Sequence, residues 1–435
     1  MLLRMARRAQ VRGRPSYRVP GLAEVRAVPW NGLTVASTFS GGGGSCCGWR
    51  MAGYRVGWAN EFVAEAADTY AANWPDTVFD RRNIREVQPE EILTALGMER
   101  GELAVLEGSP PCRSFSTAGR REKGWGKPKK YAHGEQVEED LFLEFARLLD
   151  GLRPRGFVAE NVPGLARGKA FGIYREVLAR LRSVGYRVAS RLVDASRLGV
   201  PQSRVRLIFI GLREDMGVDP PFPVPLPFRH TIRDALPWIG NVEHDAGGLF
   251  SGGEVADRPS STITIGVRSL NASRFKVRDT ALVHRSGRAK GKRHALDEPE
   301  PTIMAAGLAG AFSGQVLVEM ASSMEGLATG REWKRLTPGG ASSRYFQLVR
   351  ADPSLPCPTV TAAGGNPGLA SVAHPTQCRK FSIDELKRLC AFPADYVLTG
   401  TYAQRWERLG NAVPPPMMAA IARALFPVLS PCLEA

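Results

Sequence analysis

Thr34-Val-Ala-Ser-Thr-Phe-Ser-Gly-Gly-Gly-Gly-Ser45 reads as a short β-prone run, a turn of four glycines and the start of an apolar helix. Glycine lets the main chain approach a ligand where any side chain would collide, so a strand that ends in such a turn implies a nucleotide-like cofactor. A second strand over residues 54–60 ends at Glu61, about twenty residues past the turn, the offset at which a carboxylate accepts both ribose hydroxyls. The run is not a strict G-x-G-x-x-G, since Cys46 stands where the last glycine would be. By itself it also fits a dehydrogenase or a plain turn.

Further strands over 103–106 and 157–159 are separated by helical stretches such as 141–152, and this alternation implies a mostly parallel sheet covered by helices. Strands over 186–192 and 206–210 follow one another with no helix between, so the sheet is expected to close with an antiparallel pair. Pro220, Pro221, Pro223, Pro225 and Pro227 exclude a central strand and mark a linker. Beyond it, Pro259-Ser-Ser-Thr262, Pro299-Glu-Pro-Thr302 and Pro356-Cys-Pro-Thr359 each open a β-prone stretch beside glycines. Ser382 and Glu385 form a capping box for a helix over 383–390, and an apolar helix over 417–425 is suited to pack back on the first domain. The expected fold is α/β, a Rossmann-like sheet, mostly parallel with an antiparallel strand, plus a smaller irregular β-rich domain. The expected parts are a flexible basic arm over 1–31, a sheet domain over 32–222, a second domain over 223–378, a hinge over 379–400 and a C-terminal return over 401–435.

The chain has 435 residues and a formal charge of +15, which favours a polyanionic partner because Lys and Arg displace counterions from phosphates. Arg4, Arg7, Arg8, Arg12, Arg14 and Arg18 all precede the first acid, Glu24. The seven cysteines include no C-x-x-C pair and are odd in number, against a disulfide framework. Cys357, His374, Cys378 and Cys390 match no common zinc finger spacing, so no metal is expected. No apolar run approaches the roughly 20 residues of a membrane span and no apolar leader opens the chain, so a cytoplasmic protein is expected.

Leu103-Ala-Val-Leu106 leads into Pro110, Pro111 and Cys112. Ligands of a doubly wound sheet bind outside the carboxyl ends of its strands, so a thiol just past a strand faces the cleft, although a buried small apolar cysteine is the plainer alternative. Glu160 ends another strand; a carboxyl held there beside a thiolate is suited to donate a proton to a ring nitrogen, and equally to cap the next helix. Gln202-Ser-Arg204-Val-Arg206 enters a strand, and alternation puts Arg204 and Arg206 on one face, reaching the same edge only if that strand is antiparallel. Arg113, Arg120, Arg121, Lys123, Lys127, Lys129 and Lys130 form a long basic loop directly after the thiol, read as a lid over a polyanion.

Taken in order, Phe39-Ser-Gly-Gly-Gly-Gly44, Asn60-Glu61-Phe62, Gly108-Ser-Pro-Pro-Cys-Arg-Ser-Phe-Ser116, Glu160-Asn-Val162, Gln202-Ser-Arg-Val-Arg206 and Gly410-Asn-Ala-Val-Pro-Pro415 resemble the cytosine-C5 DNA methyltransferases, over about residues 33 to 426. The resemblance implies that Cys112 adds to C6 of a flipped cytosine while Glu160 protonates or hydrogen-bonds N3, making C5 nucleophilic toward S-adenosylmethionine, with S-adenosylhomocysteine as product. It implies that Arg206 contacts the base, with Arg204 and Asn161 organising the pocket. On the cofactor side it places Phe39, Gly41, Gly43, Gly44, Glu61 on the ribose, Phe62 on adenine, Asn83, Ile84, Pro110, Asn411 and Ala412. On the DNA side it places Arg113, Ser116, Arg120, Arg121, Gln202 and Thr359, and it makes 223–378 a target-recognition domain. Two positions depart from the pattern: Arg113 replaces a glutamine after the thiol, and Asn83 replaces an acid at the adenine amino group, where an amide can still accept the hydrogen bond.

The implied activity is methylation of cytosine within a short sequence of double-stranded DNA by a cytoplasmic, nucleoid-associated monomer, alongside a restriction endonuclease that forms no stable complex with it. An RNA-directed relative is the first rival, opposed by the large insert before Thr359. A non-catalytic DNA-binding paralogue is the second, opposed by the joint presence of Cys112, Glu160 and Arg206. A dehydrogenase is raised by the glycine turn alone.

Overall fold

A computed structural model describes residues 14–111, 129–131, 134–136, 141–239, 275–278, 281–284, 293–295, 323–366 and 368–430. Cys112, Arg113, Ser116, Arg120 and Arg121 lie outside the described residues, as do the segments opened by Pro259 and Pro299.

The first half of the chain supplies β1 (Thr34–Thr38), β2 (Arg55–Asn60), β3 (Val78–Asp80), β4 (Val105–Gly108), the antiparallel pair β5 (Lys129–Tyr131) and β6 (Gly134–Gln136), β7 (Gly156–Asn161), β8 (Tyr186–Asp194), β9 (Gln202–Ser203) and β10 (Val205–Arg213). Seven of these form one sheet in the order β3-β2-β1-β4-β7-β10-β8. All neighbours are parallel except β10, which runs against both β7 and β8, as the missing helix between 192 and 206 required. Strands β1, β4 and β7 are buried throughout because helices cover both faces. Residues alternate between those faces. Val35, Val105, Val158, Ile208 and Ile210 meet Cys46, Cys47, Trp49, Met417, Met418 and Ile421 on one side. Ala36, Leu106, Phe157, Ala159, Leu207 and Phe209 meet Phe145, Leu148, Leu149 and Leu152 of helix Leu141–Leu152 on the other.

The chain goes from β1 outward to β2 and β3, then back across to β4, so the strand order reverses between β1 and β4. A crevice opens at that point outside the carboxyl ends of the strands. Ser382 caps helix Ile383–Leu389, its hydroxyl accepting the Glu385 N–H while the Glu385 carboxylate accepts the Ser382 N–H at 2.7 Å. The last helix runs Pro415–Leu429, longer than its apolar stretch suggested, because Pro415 and Pro416 occupy a first turn whose N–H groups lack helical acceptors anyway. Together with helix Tyr402–Asn411 it makes the one span among the described residues long and apolar enough to cross a membrane, which the sequence reading had not counted. The two helices are broken at Ala412–Pro414, and Met417, Met418, Ile421 and Leu425 are spent on the core.

Two expectations are corrected. The basic arm is not free over its last part: Leu22 and Val25 of helix Leu22–Arg26 are buried, the Tyr17 hydroxyl donates to the Arg388 carbonyl at 2.6 Å, and the Leu22 N–H donates to Asp395. A few apolar residues spaced among arginines suffice to dock this segment, although they are too few to produce a periodicity. The second domain does not begin at 223, since Ile232, Ala235, Leu236 and Ile239 belong to the main core with Phe381 and Leu386. Moreover, the entering and returning segments are stitched together, the Ile232 N–H donating to the Leu355 carbonyl at 2.9 Å and the Arg233 N–H to Pro353 at 3.0 Å. Between them lie an antiparallel trio, β11 (Phe275–Arg278), β12 (Ala281–His284) and β13 (Arg293–Ala295), and the unforeseen helix Ala328–Arg335, and Met324, Trp333 and Leu348 of this stretch form a separate small core with Ala373 from beyond the return. Strands β14 (Val349–Arg350) and β16 (Val372–Ala373) pair in parallel, while β15 (Cys357–Pro358) pairs with β9, so the third Pro-Thr segment belongs to the sheet domain.

Helix Gly44–Met51 lies against Pro415–Leu429 at Gly48, where a Cβ would stand 2.4 Å from the Pro415 carbonyl oxygen and 2.7 Å from the Met418 Cβ. Gly48→Ala is therefore expected to destabilise the fold by about 1–3 kcal/mol through overpacking, read as a lowered midpoint in denaturant unfolding.

Candidate active site at the carboxyl edge of the sheet

The glycine turn follows β1 directly. Phe39 has φ +51°, Gly41 +55° and Gly43 +85°, left-handed conformations that are strained for the phenylalanine and free for the glycines. A Cβ on Gly43 would fall 2.6 Å from the Tyr396 hydroxyl and one on Gly44 2.6 Å from the Val413 carbonyl, so the inner side of the turn is closed by protein. A Cβ on Gly41 would meet nothing within 4 Å, so the outer side is open. Ala412 packs beside Gly44, which brings the Asn411-Ala412 segment to the same turn.

Glu61, at the end of β2, accepts the Gly41 N–H at 2.8 Å on one carboxylate oxygen and the Val63 N–H at 2.7 Å on the other. Burial raises its carboxyl, and these backbone donors pull it back down. The Phe62 N–H is a third backbone donor, which leaves one of the four lone pairs for a ribose hydroxyl. Ile84 is buried. Asn83 caps the turn Ile84–Glu86, its side-chain oxygen accepting the Arg85 N–H at 3.2 Å. That oxygen already has one partner, which leaves its remaining lone pair and the NH2 donors of the amide for a further contact. Open space at Gly41, the carboxylate beside it and the left-handed turn are the features that an adenosyl cofactor requires, and the residues present fit one.

On the other side of β1, β4 and β7 run in register with Gly108 opposite Ala159. Past these strand ends the Asn161 side chain donates to the Pro110 carbonyl at 3.0 Å, two residues before Cys112. Ile208 of β10 stands opposite Glu160, which puts Arg206 on the same face, and the Arg206 Nε lies 2.7 Å from a Glu160 oxygen. Burial pulls the Arg206 guanidinium down from its ordinary value and the Glu160 carboxylate holds it up. Glu160, Asn161, Arg206 and Pro110 are thus brought to one edge beside the turn.

The two guanidiniums are near enough to act on one another electrostatically but bond to different groups. Arg204 precedes β10 rather than lying in it; it is 1% exposed and donates to the carbonyls of Val360 at 3.2 Å and Gly410 at 2.9 Å. Burial pushes it down to about 9, so it stays protonated at neutral pH. Gln202, expected toward DNA, is fully buried in β9, its amide directed at the Cys390 sulfur at 3.2 Å. Both place the returning segment, in which the Thr359 hydroxyl donates to the Ser203 carbonyl at 2.6 Å. Phe62 is half-buried and Asn411 exposed. Sequence reasoning missed Lys380, a buried ammonium bonded to the carbonyls of Gly364 and Asn366 at 2.6 Å and lowered by burial to about 8. It also missed Glu107, a buried acid in β4 whose only sequence signal is a charge inside an apolar run. Among the described residues no three metal-type ligands gather.

A family model described as C-5 cytosine-specific DNA methylase matches residues 33–427. The chain is 26% identical to the Type II methyltransferase M.AgeI of Thalassovita gelatinovora, across 92% of this chain and 100% of that protein. It is 27% identical to the Type II methyltransferase M.DdeI of Desulfomicrobium norvegicum, across 90% and 88%. Two crystal structures share the fold. One is a prophage-encoded Escherichia coli protein described as a candidate DNA modification methyltransferase, with TM-score 0.60, 20% identity, and 91% and 99% of the two chains covered. The other is a triple mutant of Spodoptera frugiperda DNMT2, with TM-score 0.53, 16% identity, and again 91% and 99% covered.

The Glu160–Arg206 pair is almost wholly out of water, so removing one partner strands a buried charge. Arg206→Met is expected to cost about 3–5 kcal/mol in stability, measured by denaturant unfolding, well beyond the loss for an exposed arginine such as Arg81.

Proposed function

We propose, for a chain that belongs to the C-5 cytosine-specific DNA methylase family, that the edge formed by β4, β7 and β10 methylates C5 of a cytosine extruded from duplex DNA. The observation that carries this reading is the Asn161 bond to Pro110 beside the Glu160–Arg206 pair, because it joins the segment that ends in Cys112 to the acid and its guanidinium. Bound at the glycine turn, S-adenosylmethionine supplies an electrophilic methyl group on a sulfonium.

The rest of the chemistry falls to the chain. Carbon 5 of cytosine is a poor nucleophile. Addition of the Cys112 thiolate to C6, with a proton held at N3 by Glu160, breaks the aromaticity and moves electron density to C5. Arg206 orients the Glu160 carboxyl and is assigned to the base carbonyl. After methylation, loss of the C5 proton and expulsion of the thiolate restore the ring, leaving S-adenosylhomocysteine. Asn161 fixes the entry to the thiol segment, Arg204 fixes the returning segment, and Glu61 with Gly41, Gly43, Gly44, Phe39, Asn83, Ile84, Phe62, Asn411 and Ala412 holds the cofactor. The base can reach these groups only out of the helix.

The stretch between Ile239 and Pro353 is assigned to sequence reading, while residues 379–400, whose Phe381, Leu386, Phe392 and Tyr396 lie in the main core, join 401–435 in completing the sheet domain rather than forming a hinge. Thr359, Arg113, Ser116, Arg120 and Arg121 are assigned to the DNA backbone, in keeping with a charge of +15. The Type II methyltransferases that resemble the chain over nine-tenths of its length support a modification role; the chain is assigned as a nucleoid-associated monomer beside an endonuclease with which it forms no stable complex. They speak against the RNA-directed and non-catalytic readings.

Bisulfite sequencing of DNA from cells expressing the chain is expected to find methylated cytosine in one short motif. A duplex carrying 5-fluorocytosine in that motif should then form a denaturation-resistant adduct with the unmutated protein and none with Cys112→Ser; no adduct with the unmutated protein defeats the reading. Glu160→Gln should lower kcat by about 10²–10⁴-fold. Glu61→Gln should raise KM for S-adenosylmethionine about 10- to 100-fold through loss of charge-assisted hydrogen bonds, leaving KM for DNA unchanged.

A further inference from the structure

Glu107 is 1% exposed and points into the face of the sheet that also carries Ser37, Val158, Glu160 and Arg206. Its neighbours in register are Ser37 on β1 and Val158 on β7, so Glu160 is two residues along on the same face, the diagonal position of an adjacent strand. The Ser37 hydroxyl donates to the Glu107 carboxylate at 2.5 Å and lies 2.9 Å from the Ser40 hydroxyl. Ser45, in the first turn of helix Gly44–Met51, also hydrogen-bonds to the carboxyl. The Thr38 hydroxyl holds the Glu107 carbonyl at 3.1 Å, and Gly108 leaves no room for a Cβ, which would stand 2.3 Å from the Thr38 hydroxyl oxygen. One buried acid therefore touches both ends of the glycine turn, Ser40 through Ser37 and Ser45 directly, while belonging to the strand that leads into Cys112.

We propose that Glu107 is a positioning residue for the methyl donor: it fastens the glycine turn to the strand that carries the nucleophile, and it favours a cationic ligand at that turn over an uncharged one. Among the described residues no cationic side chain pairs with it, since Arg206 is taken by Glu160. The serine hydroxyls favour the carboxylate, while burial and the Glu160 charge oppose it, and the carboxyl is pushed up to about 7. The other ionisable groups facing it are the Cys46 thiol of helix Gly44–Met51, itself raised by burial, with Arg50 and Tyr70 behind that thiol. A sulfonium arriving at the turn brings the counter-charge that Glu107 lacks. Donor binding then drives Glu107 toward its ionised form and releases a proton, whereas the neutral thioether product gives no such gain. The preference opposes retention of the product.

This inference rests on the assignment of the turn to the cofactor, and the test separates the two. Calorimetric binding of S-adenosylmethionine and S-adenosylhomocysteine to the full chain is compared at pH 6 and pH 8 for the unmutated protein, Glu107→Gln, Ser45→Ala and Glu61→Gln. Affinity of the unmutated protein for the donor is expected to rise about five- to tenfold from pH 6 to pH 8, with the product nearly unaffected. Glu107→Gln should remove that rise and weaken donor binding about tenfold at pH 8, leaving product affinity and KM for DNA within about twofold. The amide is not expected to unfold the protein. A carboxyl raised from 4.5 to about 7 adds stability that is fully present below 4.5 and lost as the pH climbs to about 7, and the amide has no such proton to lose. Should Glu107→Gln fail to fold nonetheless, a folded Ser45→Ala with unmutated donor affinity overturns the proposal and one with selectively weakened donor binding supports it. Donor affinity and pH dependence unchanged in Glu107→Gln, or equal losses for donor and product, overturn it. If Glu61→Gln weakens the donor while Glu107→Gln does not, only this inference fails; if neither does, the assignment of the turn fails with it.

Discussion

A carboxylate and a guanidinium meet at 2.7 Å at the edge of this sheet because one strand runs against the others. Parallel strands all deliver their carboxyl ends to the cleft, and so the residues that leave β1, β2, β4 and β7 gather there without further arrangement. Arg206 begins its strand, and the beginning of a parallel strand would sit at the opposite edge, some five residues of extended chain away. Reversal of β10 brings its first residues against the last residues of β7, with Ile208 opposite Glu160. A pair so buried is no gift to stability, since its desolvation offsets most of its attraction. Its value lies in the direction it gives to the carboxyl.

The second constraint is closeness. The glycine turn is walled on its inner side by Tyr396, Phe392 and the Val413 carbonyl, residues from the far end of the chain, so the C-terminal segment is part of the wall of that turn rather than a cover laid over it. The same economy appears at Gly48, Gly108 and Gly211, where backbone or rings occupy the place of a Cβ. The left-handed Phe39 is the strained member of the series, held because Ser40 on its far side is tied to the Asn60 carbonyl and to Ser37.

Much of this was legible in the sequence because it rests on alternation and local chemistry. The helix over 141–152 begins and ends where its apolar residues do. The capping box at Ser382 closes as its spacing requires, and the pair of strands without a helix between them is antiparallel. What stayed hidden depends on contacts between distant segments. Nothing in the arginine-rich opening states that Leu22 and Val25 are buried, and nothing near Gln202 or Arg204 announces the carbonyls and the sulfur of residues 360–410 that surround them. Val78–Asp80 is an edge strand of three residues, too short to give a period. Glu107 escaped because an acid within an apolar run is read as an interruption, and only the serines of two other elements make it an interior group.

The hydrogen bonds from Ile232 and Arg233 to the carbonyls of Leu355 and Pro353 close the stretch between them at its root, on a base buried in the main core. Loop-closure entropy grows only slowly with length, so a stretch whose ends are already fastened can lengthen, shorten or be replaced at small thermodynamic cost. The sheet domain is insulated from such changes, its strands, glycine turn and Glu160–Arg206 ion pair being built from residues outside the stretch. Variation in length and composition can accumulate there by wholesale exchange, while the sheet edge is inherited intact.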